Sequence, residues 1–140
     1  MTRTKPKMHY HEELLFDIGK GFISNETLLK WFNDNYSTSK HLLTLYSIAR
    51  GLDAKKILEI GFGRSSFVLA KAASENKGIL TCCDIDDFQY LLSEEERTII
   101  KYVNGYSSKI WDNNEYFDFI FLDYFSNESL SYSFCFSEIL

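Results

Sequence analysis

The hydrophobic pattern of the chain changes near residue 53. Before it, apolar residues recur at helical spacing, as between Ser39 and Arg50, where Leu42, Leu45 and Ala49 would share one face. After it, short apolar runs alternate with helix-forming stretches, which is typical of a parallel sheet with helical crossovers. The pattern predicts an α/β protein with N-terminal helices over residues 11–52 and a sheet-forming half over residues 53–140.

Four short apolar runs in the second half have the length of buried strands. They are Ile57–Ile60, Ile79–Cys83, about 98–103 and Phe117–Leu122. A helix from about Ser65 to Ser74 would join the first two runs. A short helix would carry Ile110 and Trp111, and residues 127–140 have the pattern of one amphipathic helix.

The stretch before the third run is ambiguous. Ser93 to Glu96 matches a helix capping box, whereas Thr98–Val103 is rich in β-branched residues. We predict a short helix or turn before Arg97 and a strand after it.

In the N-terminal part, apolar residues at Leu14 to Ile18 and at Leu28 to Phe32 predict two further helices.

Length and composition limit the possible classes of protein. A chain of 140 residues has room for one domain, which we place at 11–140; residues 1–10 are basic and polar, and we expect them to be disordered. The net charge of −5 argues against non-specific nucleic-acid binding, and no apolar run approaches a membrane span. The three cysteines have no pairing or metal-binding pattern, so we expect a cytoplasmic protein.

The segment Glu59-Ile60-Gly61-Phe62-Gly63 holds the strongest functional signal. Two glycines at a junction between strand and helix let the backbone turn sharply and approach a ligand. The helix that follows begins with free N–H groups, joined by the hydroxyl of Ser65. This turn predicts a site for a nucleotide-like ligand, although a plain junction without a ligand remains an alternative.

The identity of that ligand depends on two residues. A dinucleotide fingerprint needs a third glycine, and the chain has Ser66 there. A charged Glu59 would repel the phosphates of a dinucleotide and would suit the ammonium group of S-adenosylmethionine. A nicotinamide-dependent oxidoreductase remains the alternative enzyme.

Polar residues also follow the other predicted strands. Asp84 ends the second strand, where a carboxylate could accept hydrogen bonds from both hydroxyls of a ribose; a simple turn aspartate is the alternative. Ser107 follows the third strand and would border the adenine. Asp123 ends the fourth strand, where it could orient an acceptor hydroxyl or hold a metal ion, although one carboxylate does not form a Mg²⁺ site.

In this order the motifs resemble those of class I S-adenosylmethionine-dependent methyltransferases, in particular the small-molecule O-methyltransferases related to catechol O-methyltransferase. The match covers roughly residues 40–140. It implies a Rossmann-like sheet with strand order 3-2-1-4 and methyl transfer to an oxygen or nitrogen of a small-molecule acceptor. It also implies that Glu59, Gly61 and Gly63 line the methionine part of the cofactor. Asp84 would hold the ribose, Ser107 would lie near the adenine, and Asp123 would correspond to the first aspartate that binds Mg²⁺.

The chain departs from this family in two places. Ser126 follows Tyr124-Phe125 where catechol-type enzymes have a catalytic lysine. The family sheet has seven strands, ordered 3-2-1-4-5-7-6, and we expect this chain to stop after the helix that follows strand four. An open edge on strand four would then favour a homodimer. A truncated, non-catalytic cofactor-binding or interaction protein is a further alternative.

Overall fold

Four parallel strands form a sheet at the centre of the described part of the protein. The computed structural model describes residues 41–111 and 114–123, together with Glu26, Leu29, Lys30 and Asn33. Along the chain the elements are α1 (Leu42–Gly51), β1 (Lys56–Ile60), α2 (Arg64–Glu75), β2 (Ile79–Asp84), a 3₁₀ turn (Gln89–Leu91), α3 (Glu94–Ile99), β3 (Ile100–Asn104), α4 (Ser108–Trp111) and β4 (Phe119–Leu122).

The strand order confirms the predicted architecture. The order is β3-β2-β1-β4, and each neighbouring pair is parallel. Glu26, Leu29 and Lys30 are helical. The expected N-terminal tail, the helix near residues 14–18, most of the one near 28–32 and the helix over 127–140 lie outside the described residues. No helix in the described part of the chain is both long and apolar enough to cross a membrane.

The third strand begins later than predicted, because Thr98 and Ile99 belong to α3. The hydroxyl of Ser93 accepts the N–H of Glu96 at 3.1 Å, and the Glu96 carboxylate accepts the N–H of Ser93 at 2.8 Å. The hydroxyl of Thr98 donates to the Glu95 carbonyl at 2.6 Å. The capping box therefore prolongs the helix into residues whose intrinsic preference is for strand.

The fourth strand is two residues shorter at its start than predicted. One carboxylate oxygen of Asp118 accepts the backbone N–H groups of Lys55 and Lys56, each at 2.9 Å. Asp118 thereby caps the start of β1 with its side chain, and regular pairing of β4 begins at Phe119.

Side-chain alternation along the strands divides the core in two. Ile57, Leu80 and Ile100 face α1 and α2 in the larger cluster, which also contains the buried α1 residues Leu42, Leu45 and Ala49. Leu58, Ile60 and Cys83 face the opposite side with Ile110. The predicted inward face of α1 is confirmed at these three positions.

Asn76 joins the end of α2 to the end of α1. Asn76 is only 3% exposed, and its amide nitrogen donates to the carbonyls of Ala49 at 3.0 Å and Ala54 at 2.9 Å. Its amide oxygen accepts from the guanidinium of Arg50. The Ala49 carbonyl also accepts the N–H of Ala54 at 3.1 Å. Removal of the amide would therefore leave the buried Ala54 carbonyl without its donor, whereas the Ala49 carbonyl would keep one.

We expect Asn76→Ala to lower the free energy of unfolding by about 1–3 kcal/mol, because the buried Ala54 carbonyl loses its donor. Urea unfolding of the full chain measures this change. Ser47→Ala is the matched control, since it removes an exposed hydroxyl that donates to the Leu43 carbonyl, and it should change stability by less than about 0.5 kcal/mol. Equal losses in the two variants would contradict the proposed role of Asn76.

Candidate functional site

The carboxyl ends of β1, β2 and β4 bring three predicted site residues into one row. Ile60 pairs with Cys83 on one side and with Leu122 on the other, so the next residues are Gly61, Asp84 and Asp123. The pairing continues there, because Gly61 donates to the Cys83 carbonyl and Asp123 donates to the Ile60 carbonyl, both at 2.8 Å. With two strand spacings between them, Asp84 and Asp123 lie roughly 10 Å apart across the turn.

The two glycines of the turn have different roles. Gly61 has a φ of 101°, a conformation that residues with side chains rarely adopt. Gly63 has a φ of −174°, an extended conformation that any residue can adopt. Its N–H donates to the hydroxyl of Ser66 at 3.0 Å. Of the two, Gly61 is the one that the backbone angle requires.

Ser66 occupies the position of the missing third glycine. It is completely buried, and its hydroxyl lies 3.8 Å from the sulfur of Cys82 on β2. Its hydrogen bond to Gly63 ties the first turn of α2 back to the glycine turn. In a dinucleotide site, a glycine at this position allows the helix and the strand to pack closely. Here the small polar side chain of Ser66 lies between them.

Glu59 lies beneath the turn and has no surface exposed to solvent. Its carboxylate accepts the hydroxyl of Ser65, and the Cys82 thiol lies 3.9 Å from its other oxygen. The structure therefore brings Glu59 and Ser65 together, and both residues are buried. That either residue contacts a cofactor stays a prediction.

Burial raises the pKa of Glu59 to about 8. Hydrogen bonds from Ser65, Ser66 and Cys82 oppose this shift, and the negative charge of Asp123 adds to it. The side chain is therefore mostly uncharged at neutral pH. This weakens the sequence-based idea that a charged Glu59 repels phosphates.

Asp84 is held against the glycine turn. One of its carboxylate oxygens accepts the N–H of Phe62 at 2.8 Å, and the other accepts the N–H of Asp86 at 2.9 Å. The residue is half-buried. Because a carboxylate oxygen can accept two hydrogen bonds, each oxygen retains capacity for another donor, such as a ribose hydroxyl.

The loop after β3 lies next to Asp84. Gly105 donates to the Asp84 carbonyl at 2.8 Å, and Ser107 follows as a half-buried residue directly before α4. Ile85 and Tyr106 flank this place with exposed fractions of 64% and 69%. The end of β2 thus lies between Ser107 and the glycine turn. This is the position expected of a residue that borders the far end of a bound nucleoside.

Sequence reasoning missed an aromatic group beside the turn. The ring of Phe62 stacks on Phe88 with a centroid distance of 5.5 Å and meets the ring of Tyr102 edge-on at 5.7 Å. Ile100 and Tyr102 are two positions apart on β3, so their side chains lie on the same face of the sheet. This spacing, together with the aromatic residue between the two glycines, could have indicated the aromatic group from the sequence.

Asp123 is exposed at the end of β4. Across the described ranges, no three or more histidine, cysteine, aspartate or glutamate side chains form a group that could hold a metal ion. Both roles of Asp123, as a catalytic residue and as a metal ligand, remain predictions.

Known proteins resemble this chain in fold. No family model matches it. No curated protein matches it significantly. Its structure is similar to the crystal structure of the SAH-bound methyltransferase PaMTH1 from Podospora anserina, with a TM-score of 0.56 and 16% sequence identity. The match covers 99% of this chain and 66% of PaMTH1. It establishes a class I methyltransferase-like, Rossmann-like fold.

The raised pKa of Glu59 predicts a pH-dependent stability. Between its ordinary value of 4.5 and about 8, the folded protein holds a proton that the unfolded chain has released. Stability from this group is therefore fully present below pH 4.5 and is lost as the pH rises through about 8, with a slope of at most about 1.4 kcal/mol per pH unit.

Urea unfolding between pH 5 and 9 measures this slope, and Glu59→Gln should flatten it. Glu94→Gln is the control, because Glu94 is exposed in the first turn of α3. If the parent and Glu59→Gln proteins have the same pH dependence, Glu59 is already ionised in the folded protein.

Proposed function

We propose that the chain binds S-adenosylmethionine at the carboxyl ends of β1 and β2 and acts in methyl transfer to an oxygen or nitrogen of a small-molecule acceptor. The observation that carries this proposal is the position of Asp84, whose carboxylate is held beside the glycine turn by the N–H of Phe62. The similarity in fold to an SAH-bound methyltransferase supports it.

The nucleoside end of the cofactor fits the described residues. Asp84 offers both carboxylate oxygens to the two ribose hydroxyls, which is the arrangement expected at this edge of a Rossmann-like sheet. The exposed side chains of Ile85 and Tyr106 offer apolar surface on either side of an adenine, and Ser107 offers a polar group at its edge.

Charge favours a cationic ligand over a dinucleotide. Four aspartates lie at or just beyond the strand ends, namely Asp84, Asp86, Asp87 and Asp123. They outnumber the cations Arg64, Arg97 and Lys109 of the adjoining described segments. A negative field attracts the sulfonium and ammonium groups of S-adenosylmethionine and opposes the two phosphates of NAD. The strand order itself is common to both kinds of site, so charge and the serine at position 66 distinguish them.

In methyl transfer the protein contributes mainly positioning. S-adenosylmethionine, when bound, supplies an electrophilic methyl group on its sulfonium. Asp84 would fix the ribose, and Gly61 would let the backbone approach the methionine part. Asp123 lies beside Gly61 in the row of strand ends, where it could orient an acceptor hydroxyl or accept its proton.

We expect micromolar binding of S-adenosylhomocysteine and much weaker binding of NAD in calorimetric titrations of the full chain. Asp84→Ala should weaken the binding of S-adenosylhomocysteine at least tenfold, since each hydrogen bond to a charged group contributes about 1.5–3 kcal/mol. Asp87→Ala is the matched control, because the exposed Asp87 accepts only from Gln89 among its recorded hydrogen bonds.

Three outcomes would change the proposal. Preferential binding of NAD would indicate an oxidoreductase instead. No binding of either ligand by a folded sample would leave an interaction protein. Binding without methyl transfer to any tested hydroxyl or amine acceptor would indicate a cofactor-binding protein that lacks catalysis.

We also propose that the chain self-associates through the outer edge of β4. Among the described residues β4 pairs only with β1, and Ile120 on this strand is 45% exposed. An unpaired apolar edge favours pairing with another strand. Sedimentation velocity should show a concentration-dependent dimer that Ile120→Lys weakens at least tenfold, because a charge opposes burial of this edge. A monomer at all concentrations would contradict this proposal.

A further inference from the structure

The loop after β2 is held from two sides at Asp86. The Asp86 N–H donates to the Asp84 carboxylate at 2.9 Å, and the Asp86 carbonyl accepts the hydroxyl of Tyr102 at 2.6 Å. The same hydroxyl accepts the N–H of Phe88 at 3.3 Å. One tyrosine oxygen on β3 therefore joins two points of the loop that begins at Asp84.

The ring of Tyr102 also contacts the glycine turn. It meets the ring of Phe62 at 5.7 Å, and Phe62 stacks on Phe88 at 5.5 Å. The N–H of Phe62 is the group that donates to Asp84. The contacts thus form a closed path from Tyr102 through Phe62 to Asp84, and from Asp84 through Asp86 back to Tyr102.

Such a closed path restricts the carboxylate of Asp84. Side chains and loops that are free before binding must be ordered on binding, which costs affinity. Here both oxygens of Asp84 have fixed backbone donors, and those donors belong to segments that Tyr102 contacts. A tyrosine hydroxyl is protonated at neutral pH and can donate, and burial raises the pKa of Tyr102 further.

We propose that Tyr102 is a positioning residue for the ribose of the bound cofactor, an inference that rests on the function proposed above. It contacts no ligand itself. It holds the loop at Asp86 and Phe88 so that Asp84 is already oriented when the ribose arrives. Its effect should therefore be confined to ligands that carry ribose hydroxyls.

Tyr102→Phe tests this directly, because it removes only the hydroxyl. NMR chemical-shift titrations of the full chain with S-adenosylhomocysteine, adenosine and 2′,3′-dideoxyadenosine measure affinities down to the millimolar range. We expect binding of the first two ligands to weaken about five- to tenfold, as for the loss of one ordered side chain or loop, and binding of the dideoxy compound to stay unchanged. Tyr116→Phe is the control, since Tyr116 is 85% exposed.

A second variant keeps the test valid if Tyr102→Phe fails to fold. Phe62→Leu retains the backbone N–H that donates to Asp84 and removes the aromatic contacts with Tyr102 and Phe88. It should show the same selective loss. The Asp84→Ala protein lacks the carboxylate that Tyr102 would orient. Adding Tyr102→Phe to it should therefore not weaken the binding of adenosine any further.

The outcomes separate this inference from the function on which it rests. If the parent chain binds S-adenosylhomocysteine and Tyr102→Phe binds all three ligands as tightly, the positioning role is wrong while the function stands. Equal weakening for all three ligands would show a general loss of structure and would also overturn the role. If the parent chain binds none of the ligands, the proposed function and this inference fail together.

Discussion

The parallel register of β1 with β2 and β4 is the constraint on which the rest of the structure depends. It aligns the strand ends, so that a turn residue and two carboxylates meet although they are separated by more than twenty positions along the chain. The contacts that join the glycine turn to Asp84 and Asp123 follow from this alignment. A shift of one residue would turn Glu59 away from α2 and would exchange the two faces of β1.

The site lies outside the strands but is held by hydrogen bonds that continue the sheet. Gly61, Gly105 and Asp123 each donate to a carbonyl of the neighbouring strand. These bonds carry the order of the sheet one residue further into the loops. The side chains of Asp84 and Tyr102 then order the loop beyond that point, where backbone pairing has stopped. The candidate site is therefore ordered first by backbone pairing and then by a few polar side chains.

The strand order and the row of site residues could be predicted because they depend on local patterns and on general rules for parallel sheets. Gly61, Asp84 and Asp123 each follow an apolar run directly, so a correct strand assignment places them together. The start of β3 was wrong by two residues, because the β-branched Thr98 and Ile99 compete with the cap at Ser93. In that competition the two hydrogen bonds of the capping box prevailed.

Other features could not be predicted, because their partners are distant in sequence. Asn76 bonds to carbonyls 22 and 27 positions away, and Tyr102 bonds to groups 14 and 16 positions away. Neither residue type indicates such partners by itself. The burial of Glu59 likewise depends on how α2 covers the sheet. Its sequence position suggested a charged group, whereas the carboxyl is fully buried beneath the turn, and this burial raises its pKa to about 8.

The raised pKa of Glu59 would link the charge of the proposed ligand to proton balance. A cation that enters the turn above it would favour the ionised carboxylate, so binding would be accompanied by proton release to the solvent. The heat of binding would then include the ionisation heat of the buffer, and affinity for a cationic ligand would increase with pH up to about 8, the pKa of this side chain. A neutral analogue of the same shape would bind without that exchange.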